Sequence, residues 1–313
     1  MRSTIALATA FALAVPVAAD AASDRIEAEH TFEARPGQTV VVDAAMHDVE
    51  VTAAPGDAVQ VRVEIEAHGS SSKVRDALRE LEPEFRESGS KLIVRSTRES
   101  SGWSWFGRDA RVDGRITVAM PPDLDLLVDV GSGRVTIRGD FGGAELTADT
   151  GSGSVELDGA AGAFHADTGS GSVTARVTRS LETFVADTGS GSVTLDGGAA
   201  DATADTGSGS VRMSGLTGSA LFDTGSGRVT AGWTSIAPNS RVRADTGSGS
   251  VELALPAGTE IDGLISTGSG GIRSDFPGRS IDRSEMRFDG GPGAVRLEVD
   301  TGSGGATIRA VSR

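Results

Sequence analysis

From residue 121 onward the chain repeats one short pattern: apolar residues at alternate positions, an acidic residue, a glycine turn, then alternating apolar positions again. The residue that opens each turn serves as a marker. It falls at Asp129, Asp149, Asp167, Asp187, Asp205, Asp223, Asp245, Ser266 and Asp300. The steps are 20, 18, 20, 18, 18, 22 and 21 residues, then 34. Six residues after the marker stand Val135, Val155, Val173, Val193, Val211, Val229, Val251, Ile272 and Ala306. The positions one and three before it are equally apolar, as in Leu146 and Ala148 or Phe184 and Ala186. A period of two on both flanks predicts a half-buried strand on each side of the turn.

A unit of 18–22 residues with two short strands cannot bury its apolar face alone, but stacked copies can. Equivalent residues then form columns with a spacing of about 4.8 Å, and nine rungs span on the order of 40 Å. The expected fold is therefore all-β: a parallel right-handed β-solenoid, β-helix-like, over residues 121–313. The Gly-Ser-Gly corners are expected to use positive φ, which glycine adopts cheaply.

Residues 22–120 are less regular and predict an N-terminal β-rich part that caps the solenoid. Asp43 to Val51 aligns with the repeat without its glycines. Val59 to Ile65 reads as a strand. Lys73 to Glu82 reads as a short helix capped by Ser71 or Ser72, with Val74, Leu78 and Leu81 on one face and Pro83 after its end. Glu84–Glu87 and Lys91–Ser96 flank Ser88-Gly89-Ser90 as a hairpin, and Arg115 to Ala119 is a further strand. At the other end, Ile308 to Arg313 is expected to blunt the last sheet edge. The segment 275–291, rich in Gly, Arg and Asp, is expected to loop out.

Composition sharpens this picture. The chain has 43 glycines, no tyrosine and 4% aromatics, which suits a narrow core of Val, Ala and Leu. With no cysteine, disulfides, thiolate metal sites, cysteine catalysis and a lipid-anchored amino terminus are excluded. The net charge of −15 argues against nucleic acid and anionic membrane surfaces as partners. Residues 1–21 read as a secretory signal peptide: Arg2, an apolar run from Ile5 to Val17, and small residues before cleavage after Ala19 or Ala21. That run is too short to span a bilayer, and no other stretch is longer. The mature chain is expected to carry no transmembrane segment and to be exported, whether periplasmic, at the cell surface or secreted.

The Asp-x-Gly-Ser-Gly-x-Val rungs after an export signal, ending in Gly290-Gly291-Pro292-Gly293 and Val295 to Gly304, resemble the bacterial "putative adhesin" family. The resemblance covers roughly residues 35–313 and is strongest over 121–313. It implies an exported β-solenoid of the cell envelope and brings no catalytic residues with it. Members are often placed in envelope or stress-response systems.

Four constellations bear on chemistry. Asp187-Thr188-Gly189-Ser190 and Asp223-Thr224-Gly225-Ser226 match the short aspartic protease signature, but that chemistry needs two facing carboxylates that share a proton, and a tandem repeat puts them in a file. Asp149, Asp167, Asp187, Asp205, Asp223 and Asp245 form a candidate metal ladder, for which calcium is one candidate ion. Known calcium β-rolls place Asp after the glycines, whereas here Asp comes before them. Adjacent carboxylates at this spacing repel by about 0.9 kcal/mol in water and about 3.5 kcal/mol at an effective dielectric of 20. Set against the ladder is a plainer role, in which each Asp caps its own turn by accepting backbone N–H groups.

Third, Trp103, Trp105 and Phe106 cluster in a Ser/Gly/Arg loop and are the candidate binding residues, or else they pack over the solenoid end. Trp233 is expected to be packing. Fourth, His30, His47, His68 and His165 share no metal-ligand spacing and are expected to be surface or strand residues. Carbohydrate cleavage on a solenoid needs clustered acidic and basic groups, and only Arg134 and Arg228 stand beside the turns. The sequence therefore favours a non-catalytic adhesin-like scaffold or binding module for a protein or glycan of the envelope, without a cofactor unless calcium is used. The alternatives are a solenoid-based enzyme acting on envelope polysaccharide and a periplasmic partner of an envelope-stress regulator.

Overall fold

The computed structural model describes residues 22–97 and 110–312. The expected all-β parallel solenoid is present. Each repeat contributes one strand to each of two long sheets. The strand before the turn, such as Glu145–Thr150 or Ala163–Thr168, joins a 14-stranded sheet. The strand after it, such as Val155–Ala160 or Val173–Val177, joins a 13-stranded sheet. Pairing is parallel and in register through the repeats, apart from one irregularity between Met213 and Leu216, so Asp149 sits beside Asp167 and Val155 beside Val173. Register is this strict because a one-residue shift would turn every core side chain into solvent.

The core is the pair of inward columns that alternation predicts. Leu146, Phe164, Phe184, Val155, Val173 and Val193 are all fully buried. Where the column narrows to Ala202 and Ala220, bulk returns from Phe222 and Trp233, whose rings meet edge to face at 6.3 Å. Trp233 is packing, as expected, and its indole N–H donates to the Gly218 carbonyl at 2.9 Å.

The turn glycines are needed for a different reason from the one expected. Of the glycines in these corners, only Gly133 has positive φ. Rungs instead approach so closely that a Cβ on Gly191 would lie 1.7 Å from the Gly171 oxygen. Positive φ occurs at the return corners, at Gly139, Gly159 and Gly197.

Chain order and spatial order separate at both ends. The strands Thr39–Ala44 and His47–Ala53 form a true rung against Asp125–Val130 and Val135–Asp140. Outside that rung lies a later one, made from Lys91–Ser96 and Ala110–Met120. At the other end, the strands Val295–Thr301 and Ala306–Val311 insert between the Asp245 rung and the Ser266 rung. The expectation that Ile308 onward blunts the edge is therefore corrected: Ile308 is buried between Leu253 and Ser274. The segment that was expected to loop out does that work. Glu285–Phe288 pairs antiparallel with Gly263–Ser266, and Arg279–Ser280 pairs with it in turn. Phe288 anchors this insertion in the core.

The amino-terminal cap is an antiparallel extension, Ala22–Glu33 on Ala58–Gly69 on Ala110–Met120. The strand Ala22–Glu33 is an addition to the sequence reading. The helix runs Ser71–Glu80, with Ser70 at the cap position and no side-chain cap bond, and so begins before the expected Lys73. It buries Val74, Ala77 and Leu78, with Leu81 just beyond its end. The hairpin Glu84–Ser88 and Lys91–Ser96 forms as expected.

Candidate functional site: an acidic file on one sheet

The stacking brings nine aspartates into one unbroken file. Asp43, Asp129, Asp149, Asp167, Asp187, Asp205, Asp223, Asp245 and Asp300 are successive in-register neighbours, and Ser266 closes the series. All six candidate ladder residues belong to it. Asp43 and Asp300 extend it through the out-of-order rungs. Asp187 and Asp223, which carry the protease-like pattern, lie on the same face with Asp205 between them and so never form a facing pair.

The turn cap belongs to threonine, which corrects the role considered for Asp. In each central repeat the Thr after the marker is buried. The Thr206 Oγ1–H donates to the Gly191 carbonyl at 2.9 Å, and the same oxygen accepts the Gly209 N–H at 2.9 Å. The pattern recurs at Thr168, Thr188, Thr224 and Thr246. One hydroxyl thus satisfies its own turn and ties it to the rung below. The carboxylates from Asp149 to Asp245 accept no turn N–H and face solvent.

Mutual proximity and partial burial set the electrostatics. Burial pushes the Asp149 carboxyl up from its ordinary value, and Asp167 and Asp129 add to this, with His165 opposing. Asp187 is raised by burial and then by Asp205 and Asp167, and Asp223 by burial and then by Asp205 and Asp245. Among the described residues, arginine meets the file only near its ends. Arg95 Nε meets Asp43 at 3.0 Å, and Arg243 lies 3.6 Å from Asp245. The outer face of the 13-stranded sheet differs. There Glu50 pairs with Arg138, Glu156 with Arg176 at 2.6 Å, and Glu252 with Arg309 at 3.1 Å. One face is self-neutralised across its strands, and the other carries an uncompensated row of charge.

A file places two carboxylates, not three, near any one point. Among the described residues no group of three or more His, Cys, Asp or Glu side chains is arranged to hold a metal ion. Trp103, Trp105 and Phe106 lie outside the described residues, as does the signal-peptide stretch 1–21. Arg134 and Arg228 stay apart: the Arg134 N–H donates to Asp48, and Arg228 Nε donates to Ser250.

Two features were missed from sequence. One is an open cleft of about 560 Å³ where the amino-terminal extension meets the first turn, lined by Arg25, Asp48, Glu64, Asp113 and Arg115 among others. The other is the burial of His47, expected as an ordinary surface or strand residue: it opens the strand His47–Ala53 and is fully buried. Ser96 donates its proton to the Leu81 carbonyl at 2.8 Å, so its oxygen accepts from His47 Nε2 at 3.2 Å, and Nδ1 is left without a partner. Burial lowers this histidine to about 4. The Gly114 on the paired strand makes room for the ring, since a Cβ there would lie 2.3 Å from it.

A family model described as Toastrack DUF4097 matches residues 38–309. The chain belongs to this family. The resemblance to the bacterial "putative adhesin" family read from the Asp-x-Gly-Ser-Gly rungs is thereby borne out. Solved structures similar to this chain include one from Parabacteroides distasonis named as a "putative lipid binding protein". It is 15% identical, with 90% of this chain and 96% of that chain covered and a TM-score of 0.49. A "putative adhesin" from Bacteroides fragilis is 11% identical, with coverage of 91% and 97% and a TM-score of 0.42. A "putative cell adhesion protein" from Clostridium sporogenes is 9% identical, with coverage of 91% and 100% and a TM-score of 0.22. No curated protein matches the chain. Among the described residues no helix is long and apolar enough to cross a membrane.

Proposed function

We propose that this chain is a non-catalytic, adhesin-like binding module or scaffold of the cell envelope, exported by its amino-terminal signal and acting in the periplasm, at the cell surface or outside the cell. Its working surface is the outer face of the 14-stranded sheet. One observation carries this reading: nine aspartates, six exposed and Asp43, Asp149 and Asp245 half-buried, stand in an unbroken file, and among the described residues arginine meets it only near its ends, while Glu50, Glu156 and Glu252 on the opposite sheet pair with arginines. Such a row costs stability through mutual repulsion, and a cationic group laid along it relieves that cost.

The partner class is a protein or glycan of the envelope with positive charge at its contact surface. A non-catalytic role is supported by the arrangement of the carboxylates, which run in single file without a facing pair or an adjacent cationic catalyst. No resident cofactor is required. A calcium ion on this face would bridge neighbouring carboxylates and would not be caged by three or more of them.

The test is cosedimentation of the mature protein with envelope fractions, with calcium and then with chelator, at low and high salt. Binding that weakens with salt supports the acidic face, and its loss with chelator assigns the bridge to calcium. An absence of binding in every condition contradicts the adhesin-like reading.

A further inference from the structure

The inserted last rung is held on both sides. Toward the Asp245 rung, the Arg296 N–H donates to Ser240 at 2.9 Å and the Gly302 N–H to Thr246 at 3.0 Å. Toward the Ser266 rung, the Val295 N–H donates to Glu260 at 2.9 Å and the Ala306 N–H to Gly271 at 3.1 Å. The slot is shaped for this segment. A Cβ on Gly263 would lie 1.8 Å from the Leu297 oxygen, and one on Gly270 would lie 2.0 Å from the Gly304 oxygen. Charge matches across its outer faces as well, through Arg243 with Glu298 and Arg309 with Glu252.

Two further facts make this slot unusual. The Ser266 rung follows the Asp245 rung directly in sequence, yet the two do not pair, because the later segment lies between them. The inserted rung is joined to the preceding strand Glu285–Phe288 by the short Gly-rich stretch 289–294, and among the described residues no strand follows it. It is therefore the one rung whose departure disturbs no later part of the described fold.

We propose that the slot between the Asp245 and Ser266 rungs is an exchange site for a second copy of this chain: the rung 295–311 of one copy fills the slot of another and the reverse, giving a dimer. Every hydrogen bond and core contact of the inserted rung is reproduced in the exchanged form, because the segment and the slot are the same. Only the path of residues 289–294 differs. Trading an identical element is a low-cost route to association, and repeat proteins are prone to it. A protein that presents one acidic file per chain would present two in the dimer.

The test uses full-length chains, isotopically heavy and light, with a protease site replacing Gly290–Gly293. They are mixed, unfolded and refolded together at high concentration, then cleaved and weighed by native mass spectrometry. The proposal predicts a dimer before cleavage and, after it, bodies that carry a carboxy-terminal fragment of the opposite label. The same mixture refolded at high dilution retains matched labels. Bodies that carry only their own label after concentrated refolding overturn the proposal, whether or not dimers form. If the altered linker prevents folding, the natural chain is refolded with an excess of a tagged peptide spanning 295–311. Uptake of the peptide by the folded chain supports exchange, and a lack of uptake overturns it.

Discussion

Asp300 is the in-register neighbour of Asp245, and Ser266 is the neighbour of Asp300. The acidic file therefore runs through the last rung and ends on a hydroxyl, although in the chain Ser266 comes between the two aspartates. The rung with the stronger repeat, bearing Leu297, Val299, Asp300 and Thr301, takes the two-sided interior position. The rung with Gly263 and Ser266 takes the end.

An interior position predicts interior energetics for that rung. Leu297→Ala is expected to cost about 2–5 kcal/mol, as for other buried leucines, and to match Leu195→Ala in mid-solenoid. Denaturant unfolding measures both. A Leu297 variant that unfolds almost as the parent does would indicate a frayed terminal rung instead.

Threonine, not aspartate, should prove to be the structural member of the turn. Thr206→Val leaves the Gly209 N–H and the Gly191 carbonyl unsatisfied and is expected to cost about 1–3 kcal/mol. Asp187→Asn removes a carboxylate that its neighbours oppose and is expected to leave stability unchanged or to raise it at neutral pH. A fall in the midpoint for Thr206→Val with no fall for Asp187→Asn is the expected result. A larger loss from Asp187→Asn would restore the capping role to aspartate.

Close approach between rungs is testable at a single methyl. Gly191→Ala forces its Cβ onto the Gly171 oxygen and is expected to destabilise by at least the ~1–3 kcal/mol typical of overpacking. Gly143→Ala meets nothing within 4 Å and is expected to be neutral or to stabilise by about 0.4–1 kcal/mol through the unfolded chain. Thermal unfolding of the pair separates crowding from a general dislike of alanine in the repeat.

Acid acts on this fold in two opposite ways. His47 is lowered from 6.5 to about 4 when folded, so its contribution is fully present above pH 6.5 and is lost as pH falls toward 4. That shift corresponds to about 3 kcal/mol. Asp149, Asp187 and Asp223 are raised, so their burden is present at neutral pH and is relieved as pH falls through their folded values toward 3.8. A His47→Gln variant should lose the acid sensitivity between pH 6.5 and 4 while keeping the relief from the file. Stability of the parent measured across that window should fall more steeply than that of the variant.

The rungs were legible because alternation around a recurring turn motif is a local signal, as at Ala186-Asp187 followed by Val193 and Leu195. The file was legible for the same reason, since stacked rungs that vary in length only in their return loops still place like residues on like. The order of the last two rungs was not. The Ser266 step is of ordinary length, and the preference for inserting Val295–Val311 is a non-local pairing that leaves no local trace. Thr and Asp are adjacent in the turns from Asp149 to Asp245, and only the inward direction of the Thr side chain shows which one caps. The alternation of Ile26, Ala28, His30 and Phe32 did signal the first strand. His47 carried no such mark, because its burial depends on Gly114 far along the chain.

The most direct measurement of the central claim is envelope binding by two triple variants compared with the parent. One neutralises the file, with Asp167, Asp187 and Asp205 each changed to Asn. The other changes Glu50, Glu156 and Glu252 to Gln on the opposite sheet. The account predicts that the first loses most of the salt-sensitive binding and the second keeps it. Equal binding by the parent and the file variant, with both correctly folded, would contradict the account.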